Sequence, residues 1–159
     1  MKELVDRIRR EGRVLPGGLL QVGGFMNHAL DPALTMAMGR AFTDRFERVG
    51  VPHPDRIVTA EVSGIAPALA TGVVVGAAVT FARKQVPRTL EAPLLHAPTV
   101  SRTKGDATVL TVSAARLVVG ERVWIIDDFL ARGSTLAALR HLVEQAGAVV
   151  TGMGVVIEK

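Results

Sequence analysis

The stretch VWIIDDFLARGST, Val123 to Thr135, constrains the fold of this chain more than any other segment. Four apolar residues run into two adjacent aspartates, and a glycine-containing turn with two hydroxyls follows. Neighbouring carboxylates repel, and each is costly to desolvate. Something at the junction where a buried strand leads into two of them is therefore expected to repay the arrangement. A strand delivering its carboxyl end to a turn that opens a helix is the unit of a parallel α/β sheet, whose ligands bind where the strands end. Unpartnered N–H groups at the helix start, the Ser134 and Thr135 hydroxyls and the small Gly133 make a phosphate cradle. Asp127 and Asp128 cannot bind that anion and must face hydroxyls or a metal. A sugar phosphate satisfies both halves, whereas a plain helix cap needs only one aspartate.

The rest of the chain fits an α/β reading. Met1 to Gly12 predicts an amphipathic helix with Leu4, Val5 and Ile8 on one face. Val14 to Pro32 is Gly-rich and irregular yet apolar, as in a loop that covers something. Asp31-Pro32 predicts a capped helix start, with Leu34, Met38, Phe42, Phe46 and Val49 at spacings of four and three until Gly50. RIVTA (Arg56 to Ala60) reads as a strand entering EVSG, with a helix from about Ala66 and the strand AVTFA (Ala78 to Ala82) next. Arg83 to Lys104, rich in proline and basic side chains, predicts a long mobile loop. Strands are expected at Ala107 to Ser113, Arg116 to Ile126 and Val149 to Glu158, with a helix at Ser134 to Ala146 carrying Leu136, Leu139 and Val143 inward. Continuous apolar strands alternating with helices imply a mainly parallel central sheet.

Composition narrows the classes. At 159 residues the chain is expected to be one domain, 1–159, with 48% hydrophobic and 21% charged residues. A net charge of +4 suits an anionic partner, and the absence of cysteine excludes disulfides, thiolate metal sites and thiol nucleophiles. The charged N-terminus has no signal-peptide core. Val62 to Ala82 is uncharged and long enough to span a bilayer. However, Pro67 and its glycines favour a loop, a small-residue helix and a strand, so no membrane is expected. Nucleotide motifs of the G-x-x-x-x-G-K-[ST] and G-x-G-x-x-G kinds are absent, and no two of His28, His53, His96 and His141 are spaced as metal ligands.

An apolar strand, two acids and FLARGST together resemble the phosphoribosyl diphosphate (PRPP) signature of the type I phosphoribosyltransferases. GGFMNHALDP, EVSGIAPALATG, VTFARK, VWIIDDFLARGSTL and GMGVVIEK resemble, in the same order, the xanthine phosphoribosyltransferase branch of that family over essentially the whole chain. The resemblance implies the type I phosphoribosyltransferase fold, with a mainly parallel central sheet flanked by helices and a small N-terminal hood. It implies purine salvage from xanthine and PRPP, with Mg²⁺ accompanying PRPP, in a cytoplasmic homodimer.

Specific roles follow from the same resemblance. Asp127 and Asp128 would hold the ribose hydroxyls, with a Mg²⁺ contact open to them. Ala131, Arg132, Gly133, Ser134 and Thr135 would wrap the 5′-phosphate. Ser63 and Gly64 would form the diphosphate loop, Arg83 and Lys84 would add positive charge, and the basic loop with Lys104 would be a mobile lid. Leu20 and Asn27 would hood the base, and Lys159 would donate to an exocyclic purine oxygen, which favours an oxopurine over adenine. Ala131 stands where hypoxanthine-guanine enzymes carry an aspartate, which disfavours that relative. Relatives continue past the lysine matching Lys159, so the C-terminal part is expected to be shorter than the family's. Two alternatives stay open: another purine substrate, adenine first, or a PRPP-sensing nucleic-acid-binding regulator. The second is disfavoured because no separate DNA-binding domain is visible.

Overall fold

The computed structural model describes residues 1–100 and 107–158. Helix α1 (Lys2–Glu11) leads into a small antiparallel hairpin, β1 (Arg13–Leu15) with β2 (Leu19–Gln21), and then a π-helical turn, Gly23–Asn27. Next come α2 (Pro32–Arg48), β3 (Arg56–Ala60), α3 (Ile65–Val75) and β4 (Ala78–Ala82). The hairpin β5 (Leu94–Val100) with β6 (Ala107–Ser113) precedes β7 (Arg122–Leu130), α4 (Ser134–Gln145) and β8 (Val149–Glu158). The central sheet has the order β4-β3-β7-β8 and is parallel throughout.

Local chemistry sets these elements. Asp31 caps α2 by accepting from the Leu34 N–H at 3.1 Å, with Pro32 in the first turn. The same carboxylate pairs with Arg7 at 2.9 Å and ties α1 to α2. Alternation along β3 and β7 sends side chains to two layers. Val58, Val123 and Ile125 pack with Leu139, Leu142 and Val143 of α4 and with Ala97, Leu110 and Val112 of the β5–β6 hairpin. Ile57, Trp124 and Ile126 pack against Phe46 of α2 and Ala68 of α3. The Trp124 ring meets Phe46 edge-on at 4.5 Å, and its N–H donates to the Pro52 carbonyl at 3.0 Å. Burying each such large side chain contributes roughly 1.5–3 kcal/mol.

The chain order places the site. From β3 the chain crosses through α3 to β4 on one flank, and the next sheet strand, β7, adds to the other flank. Strand order reverses beside β3, and the crevice between the carboxyl ends of β3 and β7 is the topological switch point.

Several expectations need correction. The strand expected over Arg116 to Ile126 instead runs from Arg122 to Leu130, because a 3₁₀ turn at Ala114–Arg116 and a left-handed Gly120 (φ 79°) break its first half. The two aspartates therefore sit inside the strand. The loop expected over Arg83 to Lys104 contains β5, paired residue by residue with β6 from Leu94↔Ser113 to Val100↔Ala107. Pro93, His96 and Pro98 hide that strand in the sequence; with a partner on one side only, β5 tolerates the missing N–H of Pro98. Lys104 lies outside the described residues. Val5 and Val49, placed on inward faces by spacing, are exposed. Val62 to Ala82 forms a loop, α3 and β4, and among the described residues no helix is long and apolar enough to cross a membrane.

Candidate active site

A cleft of about 220 Å³ opens at the switch point. β3 delivers Glu61, Ser63 and Gly64 to it, β7 delivers Asp127 and Asp128, and α4 contributes Thr135. Lys84 reaches it from just beyond β4, and Thr99 and Thr108 face it from the β5–β6 hairpin. Ser63, Gly64, Lys84, Asp127, Asp128 and Thr135, far apart in sequence and each given a PRPP contact by the resemblance, thus line one concavity.

The two aspartates are the electrostatic centre. Asp127 is 4% exposed. Burial first, and then the neighbouring Asp128 charge, push its carboxyl up to about 7, against the opposing pull of the Asp128 N–H and of Lys84. That N–H donates to Asp127 Oδ1 at 3.0 Å, and the Phe129 N–H donates to Asp128 Oδ1 at 2.8 Å. Among the described residues neither carboxylate has an ion-pair partner. Gly64 is packed against this centre. A Cβ there would stand 2.5 Å from Asp127 Oδ1 and would collide with the Thr59 hydroxyl, so any side chain would push the loop off the aspartate. The hydroxyls of Thr59 and Thr99 are buried and lack hydrogen-bond partners among the described residues.

The turn between β7 and α4 has the geometry a phosphate cradle needs. Gly133 adopts φ 75°, a left-handed conformation that favours glycine, and its carbonyl accepts from Ala137 at 2.9 Å to begin α4. The first N–H groups of a helix have no intrahelical partner. Ala131 and Arg132 are exposed at the rim, Ser134 is half-buried at the helix start, and Thr135 enters the cleft lining.

The two basic residues beyond β4 part company. The Arg83 N–H and carbonyl both bond to Thr111 at 2.8 Å, anchoring the β5–β6 hairpin to the sheet end. Its Nε lies 3.5 Å from Glu61, and its guanidinium sits 5.6 Å from the centre of the Phe81 ring. Lys84 alone of the pair lines the cleft.

The residues assigned to the base are more dispersed. Leu20 packs in the apolar cluster of Val22, Phe25, Met26 and Phe129 that seats the N-terminal hood on the ends of β7 and β8. Asn27 is exposed and lines a separate apolar groove of about 520 Å³ with His28, Val62 and Ser63. Lys159 lies outside the described residues. Glu61, which opens the EVSG segment, carries no sequence signal as a cleft residue, nor do Thr99, in the β5 strand hidden within the expected loop, and Thr108, in β6 just beyond it.

No family model matches the chain. Over all 159 residues it is 50% identical to the xanthine phosphoribosyltransferase of Deinococcus deserti, and it covers 81% of that protein. The xanthine phosphoribosyltransferases of Exiguobacterium and Listeria monocytogenes are 46% and 43% identical over the same length, again with 81% of each covered. The chain belongs to the xanthine phosphoribosyltransferase family. Its backbone matches a solved structure of adenine phosphoribosyltransferase from Saccharomyces cerevisiae with a TM-score of 0.79 at 22% identity, over 100% of this chain and 90% of that one. The Trypanosoma brucei adenine enzyme gives 0.77 at 18% identity, over 98% and 67%. At such identities the likeness speaks for the fold alone. It is the type I phosphoribosyltransferase fold, with a parallel sheet flanked by helices and a hood made of α1, β1, β2 and the π-helical turn.

Proposed function

We propose that this protein is a single-domain purine-salvage enzyme that transfers the 5-phosphoribosyl group of PRPP to xanthine, releasing diphosphate and forming xanthosine 5′-monophosphate. The observation that carries the reading is the convergence of Asp127, Asp128, Ser63, Gly64, Lys84 and Thr135 on one cleft at the switch point. Family membership selects the purine.

The chemistry then divides along the cleft. The C1′–oxygen bond to diphosphate breaks with its electron pair leaving on oxygen. A purine ring nitrogen closes the new bond to C1′, and its proton passes to water. Asp127 and Asp128 accept hydrogen bonds from the ribose hydroxyls, and their charge stabilises the positive charge that develops on the sugar. The amides and hydroxyls from Ala131 to Thr135 hold the 5′-phosphate at the start of α4, with Arg132 adding charge at the rim. The Ser63-Gly64 segment faces the diphosphate, with Lys84 in the cleft and Arg83 behind it. Leu20, Asn27 and Lys159 are the residues we assign to the base.

Among the described residues no cluster of three or more His, Asp or Glu could hold a metal by itself. That suits Mg²⁺ bound through phosphate oxygens, water and one or two carboxylates, with Asp127 and Asp128 as those that would hold it. The ion would offset the charge of the departing diphosphate. We place the enzyme in the cytoplasm as a homodimer. Val62, with Leu69 and Val73 of α3, is exposed and lines the separate apolar groove, and this apolar stretch supports a second copy as its cover.

The test is product formation from PRPP and Mg²⁺ with xanthine, guanine, hypoxanthine and adenine offered separately. Xanthine is expected to give the highest kcat/KM. Preference for adenine, or no nucleotide from any of the four, would overturn the reading.

A further inference from the structure

Glu61 is a carboxylate in the wall of a cleft whose proposed ligand is an anion, and the two should repel. Its surroundings resolve this. The Glu61 N–H donates to the Ala82 carbonyl at 3.0 Å, so the residue is tied to the end of β4 before its side chain is considered. Oε1 then accepts the Lys84 N–H at 2.7 Å, and Oε2 lies 3.5 Å from Arg83 Nε. The Glu61 side chain is 16% exposed. Its negative charge is therefore turned away from the cleft centre, onto a guanidinium and a main-chain amide.

The consequence falls on Lys84. Both main-chain groups of Arg83 are held by Thr111. The next N–H in the chain is held by Glu61, so the backbone leaving β4 is fixed at two successive residues. Lys84 has a long side chain that loses much rotamer entropy when ordered. Fixing its backbone aims that side chain at the cleft, which it lines together with Asp127 and Ser63.

We propose that Glu61 is a positioning residue: it clamps the Lys84 main chain, and so directs the Lys84 ammonium at the diphosphate end of PRPP. The inference rests on the function proposed above. It assigns a role to a residue that makes no contact with the reacting atoms and acts through its neighbour. Oε1 does the positioning; the Arg83 pair serves to keep the Glu61 charge off the ligand.

Three variants separate these parts. Glu61→Gln retains an oxygen acceptor for the Lys84 N–H and loses the charge. Glu61→Asp retains the charge and withdraws it by one methylene. Glu61→Ala loses both. A charge-assisted bond of this kind, once lost, is expected to raise KM for PRPP and Kd for inorganic diphosphate about tenfold in the Ala and Asp variants. In Glu61→Gln the rise should stay within about threefold, and KM for xanthine should stay within about twofold in all three. In a Lys84→Met background, Glu61→Ala should change neither constant further. If the Ala variant does not fold, the Gln and Asp pair decides alone. Unchanged constants in Glu61→Asp, a full tenfold loss in Glu61→Gln, or a full Glu61 effect without the Lys84 ammonium would each overturn the proposal. Calorimetry with inorganic diphosphate needs no turnover. A wild-type protein that binds diphosphate but makes no nucleotide would overturn the proposed function, and the Kd series would still decide the role of Glu61.

Discussion

The two ends of β3 and β7 handle charge in opposite ways. At their amino ends the charged side chains find partners within the protein. Arg56 forms a two-pronged pair with Glu121 at 2.9 and 2.8 Å, and Arg122 does the same with Asp55 at 3.0 and 2.8 Å. Arg56 holds the Glu121 carboxyl below its usual range, and Arg122 does so for Asp55. At the carboxyl ends, Glu61 just past β3 pairs with Arg83, but Asp127 and Asp128 of β7 have no ion-pair partner among the described residues, and burial raises Asp127. The lower edge is complete in itself, while the upper edge is left for a ligand to complete. The difference sets charges that the fold itself pairs against carboxylates that it leaves without an ion-pair partner among the described residues.

Substitutions can break or sharpen the contrast. The largest effect is expected from Asp128→Asn: turnover should fall ~10²–10³-fold, about 3–4 kcal/mol, through loss of one preorganised charge. Its Tm should stay within ~2 °C, because the asparagine oxygen still accepts the Phe129 N–H. Gly64→Ala should follow. Forcing a Cβ against Asp127 and Thr59 should cost about 1–3 kcal/mol of stability and lower turnover at least ~10-fold, read by thermal melts and steady-state rates. Arg56→Ala is the converse test. Leaving the half-buried Glu121 unpaired should cost about 2 kcal/mol, a fall in Tm of roughly 4–8 °C, with KM for PRPP unchanged.

The smallest effect concerns pH, and its sign is opposite at the two edges. Asp127 rises from 3.8 in the unfolded chain to about 7 in the fold, so between these values the folded state binds the extra proton. Stability from this residue is therefore full below about pH 4 and declines as pH rises toward 7. Glu121, shifted down, contributes stability at neutral pH that is lost on acidification. Asp127→Asn should thus stabilise the ligand-free protein at pH 8 and leave it unchanged at pH 4. Equal melting shifts at both pH values would mean that Asp127 is not a strained buried acid.

Much of this arrangement was legible in the sequence, for physical reasons that also explain what was not. RIVTA is continuous and apolar because β3 lies inside the sheet and is covered on both faces, and it falls where expected, as do the edge strands AVTFA and VVTGMGVVIE. Asp31-Pro32 marked α2 because cap chemistry is local. Asp127 and Asp128 stand out in the sequence because a helix cap accounts for only one of two adjacent acids after a buried run. The β5 strand was hidden because Pro93, His96 and Pro98 obscure the alternation that its pairing with β6 makes real. The Glu61 clamp was out of reach because it depends on which residues the β3–β4 pairing brings side by side. Likewise, nothing in the sequence distinguishes Arg83, turned toward Glu61, from Lys84, which lines the cleft.

The central claim is that the upper edge is completed by PRPP. The most direct measurement is the change in melting temperature when PRPP and Mg²⁺ are added to the wild-type protein, to Arg56→Ala and to Gly64→Ala. At a hundred times Kd, binding should stabilise the fold by about 2.7 kcal/mol, or roughly 5–10 °C. The wild type and Arg56→Ala should rise by the same amount, and Gly64→Ala by little. No rise in the wild type, or an equal rise in Gly64→Ala, would contradict the account.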